Sequence, residues 1–155
     1  MKPFFFVPLL LLICVSGCNY TSPITDSGTA IDTRLLGSWT GRDPNGSNPR
    51  LRFRKLNETE YLIEYFEGKK AKDYGKGFLS VIQDVRFINY QDAGNSKFMF
   101  AAYAFDAKGR LVLRFPDLKS PDTASSFEIR QEIRRRLTEG SLFKQEATIW
   151  QKVKN

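Results

Sequence analysis

Between Arg50 and Phe115 the chain holds a series of short strand-like segments with a period of two, clearest at Arg50 to Leu56, and this rhythm constrains the fold more than any other feature. In "RLRFRKL" (Arg50 to Leu56), Arg50, Arg52 and Arg54 alternate with Leu51 and Phe53, the pattern of a strand with one wet face and one core face. "EYLIEYFE" (Glu60 to Glu67) follows after an Asn-Glu turn and predicts the second arm of a hairpin. "GFLSVIQ" (Gly77 to Gln83) and "VRFINY" (Val85 to Tyr90) predict two strands pivoting near Asp84. "KFMFAAYAF" (Lys97 to Phe105), "DAKG" and "RLVLRF" (Arg110 to Phe115) make a further hairpin, with Gly109 suited to the positive φ of its turn. With "SWTGR" (Ser38 to Arg42) and "ATIWQKV" (Ala147 to Val153) the count reaches about eight, enough to close a small barrel. The expected fold is mainly β, an antiparallel small β-barrel; a half-open sheet or sandwich is the alternative.

One segment departs from this period. "SSFEIRQEIRRRLTEG" carries a capping box, Ser125 at the N-cap and Glu128 three residues on. Ile129, Ile133 and Leu137 recur at spacing four, and Gly140 supplies a C-terminal stop. One amphipathic helix is therefore predicted before the last strand, its apolar stripe covering one end of the barrel.

The N-terminus has a different character. After Lys2 and Pro3, Phe4 to Val15 is apolar apart from Pro8, too short for the roughly 20 residues of a spanning helix. A charged start, a short apolar run and small residues at its end describe an export signal. "VSGC" (Val15 to Cys18) resembles the bacterial lipobox. That resemblance implies cleavage after Gly17, diacylglycerol on the Cys18 sulfur and acylation (palmitate or a similar chain) of the new amino terminus. Anchoring by more than one acyl chain is what stable membrane attachment requires. The residue after Cys18 is Asn19 and not Asp, which for lipoproteins of enteric-type bacteria implies the outer membrane, with the domain facing the periplasm; other lineages sort by other rules. The expected organisation is a signal peptide over residues 1–17, an acylated cysteine and flexible tether over 18–33, and the barrel over 34–155. The whole chain carries 24 basic and 17 acidic side chains, a net +7; the first 17 residues hold one of the 24, leaving +6 on the remainder.

Gly37 and Trp39 in "LLGSW" resemble the Gly-x-Trp opening of the lipocalin and calycin barrels. In those families a basic residue on the last strand packs over the tryptophan and closes the barrel's base, a role that the resemblance assigns to Lys152. The layout is similar to that of small bacterial lipoproteins with a lipocalin-like barrel.

Histidine is absent, and the two cysteines, Cys14 and Cys18, precede the body. The body thus has no His-based triad, no thiol nucleophile, no His or Cys metal ligand and no disulfide. Asp84, Asp92, Asp106 and Asp117 fall at strand ends, where Asp serves the backbone. No enzyme, metal or cofactor is expected, and the export signal argues against nucleic acid. Phe78, Phe87, Phe98, Phe100, Tyr103, Phe105 and Phe115 are candidate lining for an apolar cavity, or else they fill the interior. The basic clusters "RLRFRK", "GKKAK" and "RQEIRRR" suit anionic headgroups or an acidic partner, or are solvated faces. The expected function is non-enzymatic binding, of an apolar or amphipathic small molecule or of an envelope protein. The alternative is an inhibitor or immunity-type lipoprotein that blocks an envelope-degrading enzyme through "RDPNGSNPR" or "FEGKKAKDYGKG".

Overall fold

The computed structural model describes residues 19–42 and 48–154. Residues 1–17, read above as a signal peptide, Cys18 and the middle of the "RDPNGSNPR" loop lie outside these. Eight antiparallel strands, β1 (Gly37–Gly41), β2 (Arg50–Lys55), β3 (Glu60–Glu67), β4 (Lys70–Ile82), β5 (Val85–Asp92), β6 (Phe98–Phe105), β7 (Leu111–Arg114) and β8 (Thr148–Lys152), pair each with the next. β1 also pairs with β8, Trp39 opposite Lys152, so the sheet closes into a barrel with no free edge. One helix, α1 (Ser126–Glu139), precedes β8.

Closure follows from the alternation. Along the ladder, Trp39 faces Leu51, Phe53 faces Ile63, Leu79 faces Ile88 and Tyr103 faces Leu113. These side chains share the inner surface and form one continuous core with Leu35, Tyr61, Leu111 and Trp150. Glycines let the wall approach them closely. A Cβ at Gly77 would lie 2.3 Å from Ile63 Cδ1, and one at Gly75 would lie 2.0 Å from the Gln91 carbonyl oxygen.

A second core lies outside the barrel. Phe78, Phe87, Phe98, Phe100 and Ala102 occupy the opposite parity of β4, β5 and β6 and meet Tyr20, Ile24, Ile129, Ile133 and Leu142. Helix α1 therefore packs on the outer wall instead of over one end of the barrel, because those strands carry aromatics on both faces and the outward set needs a cover. The segment expected to be a tether is the other half of that cover. Tyr20 and Ile24 are fully buried. Thr29 bridges to Leu79, and the backbone N–H of Ile24 donates to Asn89 Oδ1 at 2.8 Å. The chain is thus built into the body from Tyr20, well before Arg34, and residues 20–31 form a strap across β4–β6. β4 also starts at Lys70 instead of Gly77. Lys70 to Tyr74 pair with β3 alone and are exposed on both faces, so their sequence shows no alternation.

Candidate functional site

The barrel's base is built around Trp39. Its indole Nε1 donates to the Leu35 carbonyl at 2.8 Å, and the Lys152 ammonium sits 5.1 Å from the ring centroid. Lys152 Nζ also donates to the Arg34 carbonyl at 3.2 Å, so one cation ties the last strand to the turn before the first. Gly37 has φ 112° and would place a Cβ 3.3 Å from Lys152 Cε; both facts favour glycine. Gly37, Trp39 and Lys152 are thus brought together.

A polar cluster seals the same end. Asp32 caps the short 3₁₀ turn Thr33–Leu35 and pairs with Arg34 at 2.6 Å and Arg86 at 3.3 Å. The Tyr103 hydroxyl donates to Asp32 Oδ2 at 3.2 Å. The Tyr61 hydroxyl accepts from the Asp32 backbone N–H at 2.6 Å and lies 3.1 Å from its carbonyl, to which it donates. The Arg34 guanidinium beside Asp32 holds its carboxyl below the usual aspartate range, against the opposing effect of burial. Burial, with Asp32 nearby, pushes the Tyr103 phenol up to about 12. Tyr61 is driven higher still, chiefly by burial. Asp32 is thus engaged by Arg34, Arg86, Tyr61 and Tyr103, and the cluster ties the turn before β1 to β3, β5 and β6.

The seven aromatics proposed as cavity lining do not converge. Tyr103, Phe105 and Phe115 belong to the inner core, where Phe105 packs 5.9 Å from Trp39 and carries the Arg34 guanidinium 4.7 Å from its centroid. Phe78, Phe87, Phe98 and Phe100 lie on the outer wall under the strap and α1, Phe100 stacked on Tyr20 at 5.3 Å. Alternation alone could have separated the two sets, since Phe98 and Phe100 share one parity of β6 and Tyr103 and Phe105 share the other. Two shallow surface openings lie along the helix. One of about 550 Å³ is lined by Lys119, Ser120, Gln131, Glu132 and Arg135 on the helix and the segment before it.

Three of the four carboxylates at strand ends have structural partners. Asp92 and Asp106 accept backbone N–H bonds within their turns, Asp84 sits at φ 65°, and Asp117 pairs with Lys119 and Lys144. Glu132, within the basic stretch "RQEIRRR", is buried and accepts from the backbone N–H groups of Lys119 and Ser120, from the Ser120 hydroxyl and from Arg136. Among the described residues no cluster of three metal-ligating side chains occurs.

Among the described residues, no helix or strap covers the wall formed by β1, β2 and β3. Arg50, Arg52 and Arg54 project from it at alternate positions of β2, opposite Ser38 and Thr40 of β1. Glu64 pairs with both Arg52, at 2.8 Å, and Arg54, at 3.2 Å, while Arg50 and Arg52 lie over the Phe66 ring. Three guanidinium groups against Glu64 and Glu60, which share one face of β3, leave this wall with a small positive excess.

No family model, curated protein or solved structure matches the chain.

Proposed function

We propose that the chain is a bacterial lipoprotein, acylated on Cys18 and held at the periplasmic face of the outer membrane, whose lipocalin-like barrel binds an envelope protein non-enzymatically. The observation that carries this reading is the division of the aromatics. The inner set packs with Trp39 in one core, and the outer set is covered by residues 20–31 and α1. Binding then falls to the surface, and the uncovered arginine wall of β1–β3 suits an acidic protein face.

An inhibitor of an envelope-degrading enzyme is a second reading. The overhang of the β3–β4 ribbon favours it, because Lys70 to Tyr74 pair with β3 alone.

Photo-crosslinking in living cells tests both. A crosslinker at Ser38 or Thr40 is expected to trap a discrete protein, and Arg50→Glu with Arg54→Glu is expected to abolish the product. Trapping from Lys72 and not from Ser38 would favour the inhibitor. A stoichiometric small-molecule adduct on the intact lipidated protein in native mass spectrometry would overturn the protein-binding reading.

A further inference from the structure

If Cys18 is the acylated residue, the distance from it to the folded body decides how the body sits on the membrane. Only Asn19 separates it from Tyr20. Tyr20 is clamped: its N–H donates to the Phe98 carbonyl at 2.9 Å and its carbonyl accepts from the Phe98 N–H at 2.8 Å. Its ring stacks on Phe100, and its hydroxyl donates to the Ser120 carbonyl at 3.2 Å. Thr21 is held as well, its N–H donating to the Asp122 carbonyl at 2.8 Å. Two residues span at most about 7 Å, whereas β6 alone, at eight residues, is roughly 27 Å long. The acyl chains can therefore reach the bilayer only from the corner where the strap begins.

That corner exposes an aromatic ring, and its lysine is paired with a carboxylate. It comprises the β5–β6 turn ending at Lys97, the Asp122 turn that Lys97 approaches to 3.9 Å, and the first turn of α1. Phe127, in that first turn, is 59% exposed, one of the two most exposed large apolar side chains among the described residues. An exposed aromatic ring next to an acyl anchor suits the headgroup–acyl boundary.

Building on the lipoprotein reading, we infer that the short leash at Asn19–Tyr20 docks the barrel on the bilayer by the corner of Lys97, Asp122 and Phe127, in a fixed orientation. The strap crosses β4–β6, so the arginine wall of β1–β3, on the far side of the eight-strand ring, faces away from the membrane and toward a partner.

The processed protein's body contains no cysteine, so introduced thiols report single positions. Full-length protein processed in a bacterium would carry Phe127→Cys, Asn95→Cys, Ser38→Cys or Lys108→Cys, each labelled with a fluorophore. Each would be reconstituted in phosphatidylethanolamine–phosphatidylglycerol vesicles containing a headgroup-attached nitroxide. Quenching is expected to be several-fold stronger at positions 127 and 95 than at 38 and 108. Inserting six Gly-Ser residues between Asn19 and Tyr20 lengthens the leash by about 20 Å and is expected to erase the difference. Equal quenching at all four positions, stronger quenching at Ser38, or indifference to the insertion would overturn the inference while leaving the anchor intact. A chain that does not float with vesicles and carries no lipid mass on Cys18 would overturn the lipoprotein reading itself, and the docking with it.

Discussion

Trp39 is held by an indole hydrogen bond, a cation over its ring and the neighbouring Phe105, all within the inner core. Trp39→Ala is expected to cost about 3–5 kcal/mol, read as a lower urea midpoint. Asn89 is a less obvious anchor. It is fully buried, accepts from the Ile24 N–H and donates to Ser80 Oγ at 2.7 Å. Asn89→Ala leaves a buried backbone donor unpaired, with an expected loss of about 1–3 kcal/mol and faster hydrogen exchange at the Ile24 amide. Trp39 and Lys152 were legible in the sequence because both sit in a recognisable pattern at the chain's ends. Asn89 and Ser80 were not, since polar residues at alternate strand positions read as a wet face. Only the strap folded over them makes them interior.

The strand alternation and the capping box of α1 follow directly from local sequence: Ser125 accepts from the Glu128 N–H, and Glu128 returns a bond to the Ser125 N–H. What α1 packs against depends on partners distant in sequence, and Glu132 shows this. Burial pushes its carboxyl up, but the hydrogen bonds from Ser120, Lys119 and Arg136 together outweigh burial and hold it below its ordinary value of 4.5. A carboxyl lowered in the folded state contributes stability that is complete above about pH 4.5 and fades as pH falls below it. Stability of the native protein is therefore expected to fall more steeply below about pH 4.5 than that of Glu132→Gln, measured by urea unfolding across the acid range. In β4, Gly77→Ala forces a Cβ toward Ile63 and is expected to destabilise by about 1–3 kcal/mol in the same assay.

At the scale of the molecule, the strap makes residues 20–31 part of the fold. A chain beginning at Arg34 would uncover Phe87, Phe98 and Phe100 and lose the buried side chains of Tyr20 and Ile24. Compared with a chain beginning at Asn19, it is expected to lose more than about 3 kcal/mol and to bind a hydrophobic dye. Equal stability of the two would mean that the outer core does not depend on the strap. The period-two pattern, the capping signals and the Gly-x-Trp start were enough to predict a closed eight-strand barrel with one late helix, because each is a local regularity. The tertiary structure alone decided which aromatics face inward, where α1 lies and that the supposed tether is built in. Strands of β4–β6 are apolar on both faces, and alternation cannot say which face closes on itself and which waits for a cover. That cover comes from segments about 65 to 110 residues apart, the distances separating Ile24 from Asn89 and from Arg130. No local pattern records contacts of that range.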